Sequence, residues 1–248
     1  IMLIKDALTG RISIPRFENL EDEDENIYEK SYYVNSVDDE EFYLVEDMSL
    51  PEFGGFYLEG IHALREFEPR YQAFASVSAS QVYRWLQSRK YCGYCGTKTE
   101  KSPTERALIC PKCKYIEYPK ISPAVIVAIR NGNRLLLTKN AKSVYNYYAL
   151  VAGFVEVGET LEEAVAREVR EEVGLKVKNI QPYKSQPWSF SDTIMLPFIA
   201  DLDGDDKITL QEEELSEARW FERKDVPVLP FHISVGHELI QKFRDGEI

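Results

Sequence analysis

The sequence lacks long apolar segments and targeting signals. Its longest aliphatic run extends only from Ala124 to Ile129, whereas a membrane-spanning helix needs about 18 apolar residues. The first residues, Ile1 to Asp6, contain neither the basic nor the apolar region of a signal peptide. The last three, Gly246 to Ile248, form no known address signal. We therefore expect a cytoplasmic protein with no membrane partner.

Basic residues are also scarce. Lys and Arg number 30 against 42 Asp and Glu, which gives a net charge of −12. A surface of this sign repels a phosphate backbone, so it argues against non-specific binding of nucleic acid, though not against a discrete nucleotide pocket. Two acidic runs, Glu21–Glu25 and Asp38–Glu41, are more typical of solvated loops than of a partner surface.

The remaining composition is that of a globular protein, with 44% hydrophobic and 29% charged residues among 248. This length allows one or two domains with a packed core. Strand-forming stretches occur at Ser31–Val34 and Glu41–Val45, and apolar residues recur at helical spacing within Ser76–Lys90. Residues 1–90 are therefore predicted to form a small strand-rich domain that ends in a helix.

All four cysteines lie in one short segment, with the spacing C-x2-C-x14-C-x2-C. They are Cys92, Cys95, Cys110 and Cys113. Two close pairs on tight turns can offer four thiolates to one tetrahedral Zn²⁺, at about 2.3 Å per sulfur. Two disulfides are the alternative, which a chain without a secretion signal disfavours. Since a four-thiolate site leaves no open position, the predicted zinc over residues 91–118 is structural.

Beyond Pro119 the sequence alternates strand and helix patterns, which indicates a mixed α/β domain over residues 119–248. Asn131–Gly132 is typical of a hairpin turn. Thr160 and Glu163 form a capping box, and Gly174 is typical of a helix end. The predicted strands cover residues 124–129, 134–138, 176–183, 193–200 and 219–221, and the predicted helices cover residues 160–173 and 235–244.

A calcium-binding loop is considered and set aside. Asp201, Asp203, Asp205 and Glu212 stand at four ligand positions of an EF-hand loop, but Asp206 replaces the required glycine. The preceding residues also read as a strand. A hairpin turn at Asp203–Gly204 is the preferred interpretation.

Three carboxylates share one face of the predicted helix over residues 160–173. Glu168, Glu171 and Glu172 stand at i, i+3 and i+4 and so span about 100° of the helix surface. They would repel one another unless a hard divalent cation, Mg²⁺ or Mn²⁺, neutralised them. Taken alone, such a cluster is more often a solvated acidic face.

The residues around this cluster form a longer motif that begins at Gly153. Together they match the Nudix box, G-x5-E-x7-R-E-U-x-E-E-x-G-U with U aliphatic, at every fixed position. The chain thus resembles the Nudix family. The resemblance implies a mixed-sheet α/β/α sandwich, preceded here by a C4 zinc ribbon and the small strand-rich N-terminal domain. It also implies that Gly153 lets a loop approach the metal, that the Ala152 carbonyl adds an oxygen ligand, and that Glu159 pairs with Arg167.

The same resemblance assigns the catalytic carboxylates. Glu168 and Glu172 are expected to bind the divalent cation, Glu171 to bind it or to orient a ligand, and Glu172 to accept the proton of the attacking water. By position, Glu217 matches a downstream glutamate that completes the metal site. The complete motif favours metal binding over the alternative of a solvated acidic helix face.

The zinc ribbon and the segment Ser185–Phe190 narrow the resemblance to the NADH pyrophosphatase branch, whose array reads S-Q-P-W-P-F-P-x-S. Here Ser189 and Ser191 replace two prolines and Thr193 replaces the last serine, which predicts a less rigid loop. By this resemblance, aromatic residues stack on a base, an acidic residue contacts the dinucleotide, and the loop selects the nicotinamide side. The predicted substrate-binding residues are Glu105, Tyr118, Phe154, Ser185, Gln186, Pro187, Trp188, Ser189, Phe190, Ser191, Asp192 and Thr193.

The resemblance implies a metal-dependent pyrophosphatase that splits NADH or NAD⁺ into AMP and nicotinamide mononucleotide. The same chemistry would remove an NAD cap from the 5′ end of RNA. A hydrolase of ADP-ribose or of another nucleoside diphosphate derivative is the nearest alternative, and a ligand sensor without turnover is the more distant one. Family membership further implies a homodimer.

Overall fold

The computed structural model describes residues 1–5, 8, 10–20, 26–46, 55–142, 147–228 and 233–248. The acidic run Glu21–Glu25 lies outside these residues. The chain forms two compact units, the first made of Ile1–Lys120 with Ser189–Asp192 and the second of Ile121–Trp188 with Thr193–Ile248. Within the described ranges, no helix combines the length and the apolar composition that a membrane crossing requires.

The first unit is rich in short strands, as predicted. Its elements in chain order are β1 (Met2–Lys5), β2 (Ile12–Ser13), β3 (Ser31–Val37), β4 (Glu40–Val45), β5 (Phe56–Leu58), α1 (Arg70–Ser88), β6 (Glu100–Lys101), β7 (Leu108–Ile109) and β8 (Ile116–Glu117), with 3-10 turns at Phe17–Asn19 and Ile61–Arg65. They form the sheets β2-β1-β5, β3-β4 and β6-β7-β8. The acidic run at Asp38–Glu41 spans the turn of the β3–β4 hairpin, where Asp38 adopts φ 51°.

Helix α1 begins six residues earlier than predicted. Pro69 stands at its N-cap position, and a proline there lacks only an N–H that the helix does not use. The first turns carry Ala73 and Val77, which pack in one cluster of this unit with Leu3, Leu64 and Phe67. The small residues of these turns give a weak apolar periodicity, so this part of the helix was not predicted. The later turns carry Val82, Trp85 and Leu86, whose helical spacing gave the prediction and which pack with Val34 and Leu108.

The second unit is a sheet with a helix on each face. Its elements in chain order are β9 (Ser122–Asn131), β10 (Arg134–Asn140), β11 (Val151–Phe154), α2 (Leu161–Val173), β12 (Val177–Pro182), β13 (Gln186–Trp188), β14 (Thr193–Leu202), β15 (Leu215–Glu222) and α3 (Val235–Asp245), with a 3-10 turn at Arg223–Asp225. The sheet order is β12-β14-β9-β10-β15, with β11 also paired to β9 and β13 to β14. The β14–β9 pair is parallel and the others are antiparallel.

Alternation along β9 explains the layers. Val125 and Val127 face a cluster that contains the α2 stripe, whereas Ile126 and Ala128 face a cluster that contains α3. Because successive side chains of a strand point to opposite faces, one apolar run supplies both cores. The predicted mixed-sheet α/β/α sandwich is therefore confirmed.

The predicted strands of this unit occur, with two additions and one error. Strands β11 and β13 were not predicted as strands, because each is only four or three residues long. The hairpin predicted at Asp203–Gly204 is wrong: β14 pairs with β9, β12 and β13, and β15 pairs with β10. The chain instead bends at Gly204, which has φ 97°, and continues as a segment without regular secondary structure. In this segment the Thr209 N–H donates to the Val173 carbonyl. Asp201 lies in β14 and pairs with Arg130 at 2.8 Å, so it is not in a calcium loop.

The three-part division at residues 90 and 118 remains a prediction. The first unit contains both the N-terminal strands and the cysteine segment, and its main-chain boundary at Lys120 lies next to the predicted start of the C-terminal domain.

Candidate active site

Helix α2 and strand β11 position the predicted catalytic carboxylates. Thr160 caps the helix through its hydroxyl while Glu163 binds back to the Thr160 N–H, as the capping box predicts. The stripe of Val165, Val169 and Val173 is fully buried, which fixes the rotation of the helix about its axis. As a result Glu168 and Glu172 are only 8% and 4% exposed, whereas the Glu171 side chain is 51% exposed.

Arg167 connects the loop before the helix to its carboxylates. The guanidinium donates to both carboxylate oxygens of Glu159, at 2.6 and 3.0 Å, which confirms the predicted pair. It also donates to Glu168 at 2.8 Å, to Glu171 at 3.1 Å and to the Phe154 carbonyl at 2.9 Å. The hydrogen bond from Arg167 lowers the pKa of Glu159. One cation therefore links the loop to two of the three acidic residues.

The two buried carboxylates are electrostatically destabilised. Burial, followed by the charges of Glu168 and Glu214, raises the pKa of Glu172 to about 8, and the Ala152 N–H partly opposes this rise. Burial also raises the pKa of Glu168, against the effect of Arg167. Buried carboxylate pairs of this kind fit a hard divalent cation, which would offset their repulsion. The proposed oxygen ligand at Ala152 stays a prediction.

Gly153 has a different position from the one expected, and its approach to a metal stays a prediction. It lies within strand β11 and not in a loop. A Cβ at this position would come within 2.0 Å of the carboxyl carbon of Glu168. The glycine therefore provides the space in which that carboxylate is buried.

Glu217, the predicted downstream ligand, is engaged by other groups. The Tyr148 hydroxyl donates to its carboxylate at 2.5 Å, and the Lys139 ammonium lies 3.0 Å away. These two contacts lower the pKa of Glu217, with the Tyr148 hydrogen bond as the larger cause. Its role in metal binding remains a prediction.

Glu214 is a residue that the sequence analysis missed. Its charge raises the pKa of both Glu168 and Glu172. It directly precedes β15, in a turn whose Gln211 N–H donates to the Glu172 carbonyl at 3.0 Å. The predicted strand began at Arg219, whereas β15 begins at Leu215. A prediction with the correct start would have placed Glu214 immediately before the strand. An acidic residue at that junction was the available signal.

The predicted substrate residues of the second unit differ in what they contact. Phe154 is 56% exposed at the end of β11. Gln186 uses both its amide nitrogen and its amide oxygen within the unit: it donates to the Ile233 carbonyl at 2.9 Å and accepts from the Val235 N–H at 2.7 Å. It thereby anchors the start of α3. Of the rest, Ser185 and Pro187 are exposed, Trp188 is half-buried and Thr193 is buried.

Those of the first unit include the turn Ser189–Asp192. Arg84 of α1 donates to the Ser189 carbonyl at 2.5 Å and forms an ion pair with Asp192. The Phe190 ring packs in the cluster that contains Leu3 and Val77, and lies parallel to the His62 ring at 6.2 Å. Ser191 is exposed. The turn is thus fixed by packing and by charge.

The other two substrate residues of the first unit are paired with each other. The Tyr118 hydroxyl lies 3.3 and 3.4 Å from the two carboxylate oxygens of Glu105. The charge of Glu105, followed by partial burial, raises the pKa of Tyr118. Their contact with a dinucleotide remains a prediction, as do the roles of the other predicted site residues.

The four cysteines converge as the spacing predicts. Their sulfur atoms all lie within 4.8 Å of one another. Sγ–Sγ distances of 3.5 to 3.6 Å join Cys95 to Cys110 and Cys113 to both Cys92 and Cys95. Four sulfurs at about 2.3 Å from a tetrahedral ion would be about 3.8 Å apart. All four are free thiols, so the disulfide alternative is excluded and the donor set fits structural zinc.

Two family models match separate segments of the chain, and known proteins are similar to much of it. The model of the NADH pyrophosphatase zinc ribbon domain matches residues 87–118. Proteins named NAD-capped RNA hydrolase NudC are similar over 161 residues: that of Shigella flexneri is 46% identical and that of Escherichia coli strain K12 is 45% identical. In both, the similar region covers 65% of this chain and 62% of the relative.

A solved structure and a second family model concern the fold. The crystal structure of a NUDIX hydrolase from Nitrosomonas europaea is similar with a TM-score of 0.55 at 28% identity, over 63% of this chain and 90% of that one. The NUDIX domain model matches residues 120–243, which is half of the chain. The chain therefore belongs to the Nudix family.

Proposed function

We propose that this protein is a metal-dependent pyrophosphatase that hydrolyses the diphosphate bridge of NADH or NAD⁺ to nicotinamide mononucleotide and AMP, and that it removes NAD caps from RNA. The observation that carries the proposal is the pair of buried carboxylates, Glu168 and Glu172, within a complete Nudix box. The relatives named NAD-capped RNA hydrolase and the zinc ribbon model support the choice of substrate.

Glu168 and Glu172 would hold a divalent cation, together with Glu171, the Ala152 carbonyl and Glu217. When bound, the cation polarises a phosphoryl oxygen and lowers the pKa of a water molecule. Glu172 would accept a proton of the attacking water, as the position of this glutamate in the Nudix box implies.

The remaining chemistry is recognition. Phe154 and Tyr118 offer exposed rings for stacking on the bases, which contributes about 1 to 3 kcal/mol per base and depends little on base identity. Glu105 would contact the dinucleotide, and the segment from Gln186 to Thr193 would select the nicotinamide side. We also propose that Mg²⁺ or Mn²⁺ is the catalytic cation and that the protein is a cytoplasmic homodimer.

A product analysis tests the proposal. The purified protein is incubated with Mg²⁺ or Mn²⁺ and, separately, NADH, NAD⁺, ADP-ribose or NAD-capped RNA, and the products are separated by chromatography. We expect AMP from the first two substrates, with reduced nicotinamide mononucleotide from NADH and the oxidised form from NAD⁺, and a 5′-monophosphate from the RNA. The Glu172→Gln protein serves as the control for contaminating hydrolases. A preference for ADP-ribose would identify the nearest alternative, and binding without turnover would identify a sensor.

A further inference from the structure

The zinc ribbon carries a charge opposite to that of the rest of the chain. Between residues 87 and 118, the range that the zinc ribbon model matches, there are seven basic and three acidic side chains, within a protein whose net charge is −12. Even if a Zn²⁺ with four thiolates contributes a charge of about −2, the segment stays positive. The basic residues are Arg89, Lys90, Lys98, Lys101, Arg106, Lys112 and Lys114.

Most of this charge faces solvent. Arg89 and Lys101 form ion pairs with Glu117 and Glu46, at 2.9 and 2.8 Å. Each of these ion pairs also removes one positive charge, and the exposed Glu100 and Glu105 are the acidic side chains of the ribbon that remain. All five lysine residues of this range are exposed: Lys90, Lys98, Lys101, Lys112 and Lys114.

Exposed tyrosines alternate with these lysines. Tyr94 is 83% exposed, Tyr91 is 66% exposed and Tyr115 is 48% exposed. Large aromatic residues exposed to this extent commonly mark an interaction surface. A positively charged surface with stacking aromatics is the combination that binds single-stranded nucleic acid, since the charges bind the backbone and every base has a face on which a ring can stack.

The geometry of the metal site keeps these side chains together. Tyr94 lies between the first two cysteines and Lys112 between the last two, and the four sulfurs are within 4.8 Å of one another. Lys114 and Tyr115 directly follow the last cysteine. Tyr91 is bridged to Lys98 across the first turn. Both turns therefore present lysines and tyrosines around one centre.

We propose that the zinc ribbon binds single-stranded nucleic acid, with its lysines on the phosphates and Tyr91, Tyr94 and Tyr115 on the bases. The inference rests on the proposed function, because the strand that it would hold is the body of an NAD-capped RNA. Its local charge overrides the repulsion that the net charge of the chain implies. A two-fold contact between two ribbons would instead bring like charges together.

The test measures binding separately from turnover. A fluorescein-labelled single-stranded oligoribonucleotide with a 5′ hydroxyl is titrated with the full-length protein, and anisotropy is recorded at several salt concentrations. We expect the triple variant Lys98→Gln, Lys112→Gln, Lys114→Gln to bind at least about tenfold more weakly, with a log–log salt slope reduced by about 2. Tyr94→Ala should weaken binding several-fold with little change in that slope. Hydrolysis of free NADH should be unchanged in both.

The matched control removes three exposed lysines elsewhere, through Lys176→Gln, Lys207→Gln and Lys224→Gln. If it weakens binding as much as the ribbon variant, or if the ribbon variant binds within twofold of wild type, the inference is overturned. If the ribbon variant differs from wild type in its mass in solution but binds RNA equally well, the surface is a contact between copies of the chain. That result would also overturn the inference. Failure of wild type to hydrolyse NADH, with the binding result unchanged, would contradict the proposed function alone.

Discussion

Glu168 occupies the space that any side chain at Gly153 would need. A Cβ built on Gly153 would lie 2.0 Å from the carboxyl carbon and from one carboxylate oxygen of Glu168, far inside van der Waals contact. The main chain of β11 and the carboxylate on α2 are thus in direct contact. This close approach, and not an unusual backbone angle, explains why glycine is required at the first position of the box.

Gly153→Ala should therefore move Glu168. We expect turnover to fall at least about tenfold, which corresponds to about 1.4 kcal/mol, and the free energy of unfolding to fall by about 1 to 3 kcal/mol through overpacking. Steady-state kinetics and denaturant titration measure the two effects. Gly60→Ala is the control, because its φ is −68° and a Cβ there meets nothing within 4 Å. Full activity in Gly153→Ala would contradict the packing argument.

Glu172→Gln should nearly abolish hydrolysis. The change keeps the volume of the side chain but removes the charge that binds a cation and accepts a proton. We expect turnover to fall at least about a hundredfold, which needs only about 2.7 kcal/mol of lost transition-state stabilisation. The KM for NADH should change little, since stacking by Phe154 and Tyr118 does not involve this carboxylate. Turnover within a few-fold of wild type at saturating Mg²⁺ would move the base to another glutamate.

The same substitution should change how stability depends on pH. The pKa of Glu172 is raised from 4.5 to about 8 in the folded protein, foremost by burial. Between these values the folded protein binds more protons than the unfolded chain, so its free energy of unfolding falls as pH rises. Without added divalent cation, Glu172→Gln should be more stable than wild type at pH 8 and similar to it near pH 4.5. Parallel thermal melts that show no such divergence would exclude the raised pKa.

Glu214 and Glu217 make opposite predictions for metal binding. Glu214 acts electrostatically on both buried carboxylates, whereas Glu217 is held by Tyr148 and Lys139. We expect Glu214→Gln to raise the Mg²⁺ concentration needed for half-maximal activity about tenfold or more, and Glu217→Gln to raise it less. Titration of activity with Mg²⁺ measures both. A larger effect of Glu217→Gln than of Glu214→Gln would favour Glu217 as the downstream ligand.

Removal of zinc should destabilise the first unit. Cys110 is fully buried and lies 3.5 Å from Cys95, so a serine there would weaken a closed donor set. Since metal binding contributes directly to folding, Cys110→Ser should lose bound zinc and at least about 2 kcal/mol of stability. Elemental analysis and thermal melts measure the two quantities. A zinc-free protein that melts like wild type would contradict a structural role.

Much of the fold was predictable because its signals are local. The capping box at Thr160, the stop at Gly174 and the valine stripe fixed α2 almost to the residue. The partner of each strand was not predictable in the same way. The bend at Gly204 looks like a hairpin turn in sequence, yet β14 pairs in parallel with β9, which lies about seventy residues earlier. Pairing over such distances depends on which faces the helices cover, and no local pattern encodes it.

The candidate site was predictable only where the motif is dense. The Nudix box predicted the helix correctly. It did not predict that Glu168 and Glu172 are buried against β11, or that the Glu171 side chain faces solvent. Residues outside the box were assigned by their resemblance to positions of the family. Gln186 shows that such a residue can also have a structural contact, because its amide binds the main chain before and within α3; its contact with substrate stays a prediction.

The turn Ser189–Asp192 provides the last prediction. It has serines where related arrays have prolines, and Arg84 compensates by binding the Ser189 carbonyl and the Asp192 carboxylate, while Ser80 accepts from the same guanidinium at 2.9 Å. Asp192 adopts φ 57°, a backbone angle that costs energy for a non-glycine residue and needs such support.

Arg84→Gln should therefore raise the KM for NADH several-fold and leave kcat within about twofold, because the turn is proposed to recognise substrate and not to perform chemistry. Both side chains of the ion pair are about a third exposed, so we expect a coupling energy with Asp192→Asn of only about 0.5 to 1 kcal/mol in a double-mutant cycle. Arg89→Gln, which removes the ion pair with Glu117 on the same unit, is the matched control and should leave KM unchanged. If Arg84→Gln lowers stability while KM stays at the wild-type value, the turn supports the fold and takes no part in recognition.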